Sequence, residues 1–450
     1  MAKYVIKKSN KLVPSDAMKK IAHVKNKNIY KQAAKNPIKF WEKLATEGLD
    51  WEKKWTKAYE QKLPYFKWFK GGKINFSKNC LDRHLENKSD KVAITWVPEP
   101  TKEKTIKLTY KELHEKVCKF ANVLKKHKIK KGDVVSIYLP MIPEAIIAML
   151  ACTRIGAIHS VVFSAFSADA LKARIQDGKA KILITADGYY RRGEKEDLLT
   201  KARRAVKSTT VNKVIIVPRL RKKIPTGRKF LNFNKELESA EPNCEPTIVN
   251  SEDTMFILYT SGTTGKPKGV VQTHNSYCST ARAWNETIGI TGEDRPISVL
   301  ALFHTNAQLY FAVGAMDINT GFVLEEGFSS SGFWKRAVET GATVVSLPGN
   351  ALVMLYNMPE SEFDHTNKIR TMIAGHTPLD LYRKFEKRYN LDIIEGYTLT
   401  ESPSALFNRP GDIKVGSVGK PMEDVEVKIV DNQGKGLPVG EIGEIALKGP

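Results

Sequence analysis

Several common signals are missing from this sequence. It has no apolar run of about 18 residues or more, so nothing in it predicts a membrane-spanning helix. Its first residues, MAKYVIKKSNKLVPSD, lack the apolar block of a secretory signal. The five cysteines (Cys80, Cys118, Cys152, Cys244 and Cys278) are scattered, with no C-x-x-C pair. That argues against a disulfide framework or a zinc site and predicts reduced thiols in a cytoplasmic protein. No repeat of fixed period is present. Acidic residues are few beside basic ones, 49 against 72, giving a formal net charge of +23. Such a charge invites a nucleic-acid reading. No recognition helix, zinc finger or RNA-binding motif accompanies it, so that class stays the outside alternative. Clusters such as KKHKIKKGD and RLRKKIPTGRK read as solvated faces.

The hydrophobic share, 42% of 450 residues, can build a sizeable core in two or three domains or one composite domain. Residues 1–36 read as a basic N-terminal arm. NPIKFWEKLATEGLDWEKKW reads as helical, with Trp41 and Trp51 as buried anchors. From Asp90 the texture alternates between strand and helix. KVAITWV, GDVVSIYLP, IHSVVF and AKILITAD are apolar, β-branched strands. Between them, TYKELHEKVCKFANVLKKH, IPEAIIAMLACTRIGA and SADALKARIQDG have helical patterning, the first opened by Thr109 as N-cap with Glu112 three residues on. TMFILYT, ATVVSLP and LDIIEGYT are further strands, and LDLYRKFEKRYN a further helix. This alternation predicts an α/β fold whose parallel sheets are covered on both faces. Over 411–450 the short strands and glycine turns predict a small antiparallel β-barrel.

The stretch YTSGTTGKPKGVV, Tyr259 to Val271, follows one of these strands. Its glycines let backbone N–H groups approach an anion, its hydroxyls add donors, and Lys266 and Lys268 add positive charge. It is not a P-loop of the form GxxxxGK[ST]. Only two residues separate Gly262 from Gly265, and Pro267 removes a donor where a P-loop helix would begin.

YTSGTTGKPKGVVQTH resembles the phosphate loop of the adenylate-forming acyl-CoA synthetases. GYTLTE (Gly396 to Glu401), AGHTPL (Ala374 to Leu379) and ALFHTNAQ (Ala301 to Gln308) resemble further motifs of that family, in the same order and at similar separations. The resemblance spans residues 37–450. The first half is most similar to acetyl-CoA synthetases, and the second to carnitine/crotonobetaine-type carboxylate–CoA ligases. It implies a two-step reaction in which a carboxylate attacks the α-phosphate of ATP to give acyl-AMP, and coenzyme A then displaces AMP. An adenylation module that loads a carrier protein is the alternative, and an acetyl- or propionyl-CoA synthetase another. A basic surface would suit ATP and coenzyme A.

The resemblance also implies roles, residue by residue. Thr260, Ser261, Gly262, Thr263, Thr264, Gly265, Lys266 and Lys268 would cradle phosphate. Thr400 would bond the α-phosphate, and Glu401 would hold Mg²⁺, which prefers carboxylate and phosphate oxygens. Glu395, Gly396 and Tyr397 would line the adenine pocket, bordered by His376, Thr377 and Pro378. Arg191, in ADGYYRRG, would contact the phosphorylated nucleotide end of coenzyme A. The family has glycines after the phenylalanine of the VVF segment, whereas Ser164 and Ala165 follow Phe163 here. His304, Thr305, Asn306 and Thr398 would shape the acyl pocket. Acetyl-CoA synthetases carry a tryptophan where Thr398 stands, and threonine leaves a larger volume. The expected substrate is therefore an acid larger than acetate, polar or hydroxylated. In the family the large domain continues and a C-terminal lid with a catalytic lysine follows. The resemblance thus implies a fragment that adenylates poorly alone.

Overall fold

The computed structural model describes residues 5–8, 11–14, 16, 28–62, 65–225, 227–260, 267–403, 405–422 and 425–448. Two large sheets organise them. Val134–Tyr138, Ile158–Val161 and Ile182–Ala186 are apolar, β-branched runs buried almost throughout, as strands covered on both faces must be. Together with Lys213–Val217 and Phe230–Asn232 on one side and Thr254–Thr260 on the other they form a seven-stranded sheet. It is parallel except at one edge, where Lys268–Thr273 returns antiparallel to Thr254–Thr260. The helix Tyr110–Lys126 packs on the helix Pro143–Arg154, which lies against this sheet. Its capping box forms as expected: the Thr109 N–H donates to Glu112 Oε2 (2.8 Å) and the Glu112 N–H to Thr109 Oγ1 (3.2 Å).

The second sheet has nine strands. Its parallel centre runs in the order Asp392–Tyr397, Thr371–Gly375, Val344–Pro348, Pro296–Ser298, Phe322–Glu325 and Val92–Val97. Val92–Val97, first among these in the chain, pairs with Phe322–Glu325 rather than with its sequence neighbours in the first sheet. The two sheets share one continuous apolar interior.

The C-terminal ends of the parallel strands in both sheets meet. Phe163, beyond Ile158–Val161, stacks on Phe303, beyond Pro296–Ser298, with ring centroids 4.6 Å apart. Arg219, beyond Lys213–Val217, grips Glu326, beyond Phe322–Glu325, with Nε and Nη2 at 2.8 and 2.7 Å. Its guanidinium lies between the rings of Trp96 and Tyr190. Open α/β sheets bind ligands in the crevice outside such strand ends.

The structure corrects three expectations. The described part of 411–450 holds a hairpin, Glu426–Val430 paired with Glu444–Lys448, and no closed barrel. Two strands cannot close on themselves, and Val439 and Ile442 of this segment are fully exposed. The N-terminal helix runs only over Pro37–Gly48, after Asn36 caps it. Trp41 and Trp51 are half-buried, and Trp51 donates its indole N–H to the Ala45 carbonyl at 2.8 Å. Most of the basic arm lies outside the described residues. Among those described, no helix is long and apolar enough to cross a membrane.

Two local arrangements generate predictions. Arg154, buried, holds the Asp82 carboxylate with both terminal nitrogens (2.8 and 2.9 Å), and His114 Nε2 lies 3.4 Å from the same carboxylate. Burial alone would raise the Asp82 carboxyl. The bonds from Arg154 and His114 outweigh it and hold the carboxyl at about 2. Asp82, with Cys118 next in weight, pushes His114 up to about 9 against the effect of burial. The His114 contribution is therefore full below about pH 6.5, the unfolded value, and is lost as pH rises through about 9. Melting temperature should fall across that window by an amount equivalent to roughly 1–2 kcal/mol, and His114→Gln should flatten the fall in scanning calorimetry. Gly349 opens the helix Gly349–Tyr356, and a Cβ there would stand 2.2 Å from the His376 carbonyl oxygen. Gly349→Ala should cost about 1–3 kcal/mol, read as a lowered melting temperature.

Candidate active site

The loop first singled out in the sequence is the turn of an edge hairpin. Tyr259 pairs with Gly269 and Thr260 with Lys268, so the chain leaves the sheet at Thr260 and re-enters it at Lys268. Ser261, Gly262, Thr263, Thr264, Gly265 and Lys266 lie outside the described residues. The flanks are placed: Thr260 is half-buried and Lys268 exposed. A strand follows the loop, not the helix that gives a P-loop its anion site, as Pro267 implies. Tyr259 anchors the hairpin's base, its hydroxyl donating to Asp177 Oδ2 at 2.6 Å while the Arg174 guanidinium lies over its ring.

Thr400 and Glu401 sit at the apex of a tight turn just beyond Asp392–Tyr397, closed by reciprocal backbone bonds between Leu399 and Ser402, both 3.1 Å. Gln272 ties this turn to the hairpin. Its Nε2 donates to the Thr400 carbonyl at 2.8 Å, and its Oε1 accepts from Ser276 Oγ at 2.7 Å. Sequence reasoning missed Gln272. The available signal was a primary amide among valines in a strand, since a buried amide requires partners. Tyr310 holds the other side of the turn, donating its hydroxyl to the Pro403 carbonyl and meeting the Thr398 hydroxyl, while its ring stacks on Trp284. Glu401 is exposed.

The AGHTPL segment meets the same strand. Glu395, buried, accepts from the Thr377 N–H at 2.8 Å, which locks the segment beside Gly396 and Tyr397. His376 is exposed and its backbone is left-handed (φ 59°), a conformation uncommon outside glycine. Gly396 and Tyr397 pair with Phe407 and Leu406, and Tyr397 is half-buried. The structure thus brings together Glu395, Gly396, Tyr397, Thr377 and, through its neighbours, Pro378.

On the acyl side, His304 is exposed and Thr305 buried, and Asn306 donates Nδ2 to Ser346 Oγ at 3.0 Å. Thr398 is exposed. Arg191 is exposed on the hairpin of Tyr189–Arg191 with Glu194–Glu196. The Gly193 N–H at its tip donates to Glu99 Oε1 (2.8 Å), fastening this hairpin to the second sheet. Arg191 and Ser164 both hydrogen-bond Tyr189, and the rings of Phe163, beside Ser164, and Phe303, beside His304, pack with centroids 4.6 Å apart. Among the described residues no group of three or more acidic, histidine or cysteine side chains could alone hold a metal.

The AMP-binding enzyme family profile matches residues 81–450, and that of the acetyl-coenzyme A synthetase N-terminus matches 26–80. An acetyl-coenzyme A synthetase of Gamma-proteobacterium EBAC31A08 is 34% identical, over 94% of this chain and 68% of its own length. Those of Bdellovibrio bacteriovorus (35%; 94% and 69%) and Brucella canis (37%; 90% and 66%) are similar. The chain thus spans about two thirds of these relatives. An anthranilate CoA ligase crystallised with anthranoyl-AMP shares the fold, with a TM-score of 0.73 at 22% identity, over 84% of this chain and 70% of that one. Matches of this extent place the chain in the AMP-binding enzyme family, among its AMP-forming acid–thiol ligases.

Proposed function

We propose that the protein activates a carboxylic acid larger than acetate as its acyl-AMP and transfers the acyl group to coenzyme A. The observation that carries this reading is the Gln272–Thr400 bond, which sets the phosphate hairpin against the Thr400–Glu401 turn. The first step joins two anions, so positive charge and oriented donors must offset their repulsion in the transition state. Lys268, Thr260 and the loop between them supply these to the β- and γ-phosphates, and Thr400 to the α-phosphate. The carboxylate oxygen bonds the α-phosphorus as pyrophosphate leaves.

Glu401 suits Mg²⁺ carried in on the nucleotide. Such Mg²⁺ needs only one or two carboxylates besides phosphate oxygens, and Glu401 is a single exposed carboxylate on the turn held to the hairpin. When bound, the ion would neutralise charge on the phosphates. In the second step the thiol of coenzyme A attacks the acyl carbon and AMP leaves. Arg191, exposed on its fastened hairpin, supplies a bidentate group for coenzyme A phosphate, which favours free coenzyme A over a carrier protein as acceptor. Five free, buried cysteines suit the reducing cytoplasm.

The size of the acid rests on Thr398, whose short side chain turns to Tyr310 where acetyl-CoA synthetases have tryptophan. In an assay of thioester formation against a carboxylate series, acids of four to six carbons should be preferred. Preference for acetate would remove the size argument, and Thr398→Trp should narrow the range toward acetate. Glu401→Gln should lower ATP–pyrophosphate exchange about 100-fold. Gln272→Leu removes both side-chain hydrogen bonds, and the one that ties the turn to the hairpin is worth about 1 kcal/mol. It should lower kcat/KM for Mg-ATP roughly fivefold, and leave KM for the acid unchanged.

A further inference from the structure

The acyl side of the site contains buried polar atoms that the protein itself does not satisfy. Thr305 Oγ1 and Asn306 Oδ1 are both sealed from solvent and have no hydrogen-bond partner. Native proteins rarely leave such atoms orphaned, because each costs a desolvation penalty that no bond offsets. Here two occur on consecutive residues, in the ALFHTNAQ segment whose resemblance implies the acyl pocket. Asn306 is also fixed rather than loose. Its Nδ2 donates to Ser346 Oγ across 3.0 Å, which leaves Oδ1 as an aimed acceptor. Ser346 is buried on the neighbouring strand Val344–Pro348.

The backbone gives a second, independent sign. Asn306 opens a π-helical stretch, Asn306–Val313, whose other residues are buried and mostly apolar. Such widened turns carry a cost and occur frequently at functional sites. A segment that only filled the core would do so with an α-helix and an apolar residue at 306.

We infer that the acyl pocket recognises a carboxylic acid bearing a hydrogen-bond donor on its chain, a hydroxyl or an amide N–H, through Asn306 Oδ1 and Thr305 Oγ1, with Ser346 orienting the amide. This rests on the proposed acyl-CoA ligase reading and adds the substrate's chemistry to it. A plain alkyl chain would fill the same volume but leave both acceptors unpaired. Sites built to bond a substrate hydroxyl reject the analogue that lacks it far more strongly than apolar pockets discriminate by size. Ser346 and Asn306 act as specificity residues, and neither belongs to the phosphate machinery.

The test uses acyl sulfamoyl adenosines, stable mimics of acyl-AMP that need no turnover. The butanoyl compound is compared with its 3-hydroxy and 4-hydroxy counterparts by calorimetric titration into the full chain. At least one hydroxylated compound should bind tenfold or more tightly than the butanoyl compound. Asn306→Leu should abolish that preference. Ser346→Ala, a smaller change that spares the fold if Asn306→Leu does not, should reduce the preference at least threefold. Equal binding of the alkyl and hydroxylated compounds would overturn the inference and leave the proposed function standing. Binding of none of them would overturn the proposed function and the inference together.

Discussion

One hydrogen bond, from the Gln272 amide to the Thr400 carbonyl, joins the two halves of the proposed site. The phosphate hairpin belongs to the edge of the seven-stranded sheet, and the Thr400–Glu401 turn extends from the nine-stranded one. Neither half is useful for joining two anions unless the other is set against it. Ser276 fixes the far end of the same amide, so Gln272 cannot rotate without losing a second partner. Tyr310 restrains the turn from the opposite side. The turn is thus pre-organised by groups that touch no ligand, which is how a fold limits the reorganisation a reaction would otherwise require.

The rest of the architecture serves the same alignment. Parallel strands bring every strand end of one polarity to one edge, and two such edges facing each other make a crevice lined from many separate chain segments. The Arg219–Glu326 pair and the Phe163–Phe303 stack fix how those edges meet. The bond from Gly193 to Glu99 then fastens the Arg191 hairpin across the same seam. Charge at the seam is paired locally, in the Arg219–Glu326 bond.

Much of this was legible in the sequence because it is local. The Thr109–Glu112 capping box, the apolar strands and the strand–helix alternation each depend on neighbours within a few residues. Pro267 excluded a P-loop for a local reason too, and a strand does follow it. Non-local pairing was not legible. Nothing in KVAITWV says that it lies beside Phe322–Glu325 in the second sheet rather than beside Val134–Tyr138 in the first. The glycine-rich tail has the texture of a barrel, yet its described residues form a hairpin, because strand texture does not specify partners. Gln272 and Ser346 escaped notice since each matters only through a residue far along the chain, Thr400 and Asn306. The motifs marked the residues that would touch phosphate, and the residues that aim them needed the fold.

The hairpin and the Thr400–Glu401 turn are proposed to form a single nucleotide-phosphate site across the two sheets. A crystal structure of the chain with Mg²⁺ and a non-hydrolysable ATP analogue would show whether they do. The triphosphate should lie between Lys268 and the turn, with the ion on a Glu401 oxygen and the Gln272–Thr400 bond intact. Triphosphate bound elsewhere, or bound by the hairpin with the turn swung away and Gln272 released, would contradict it.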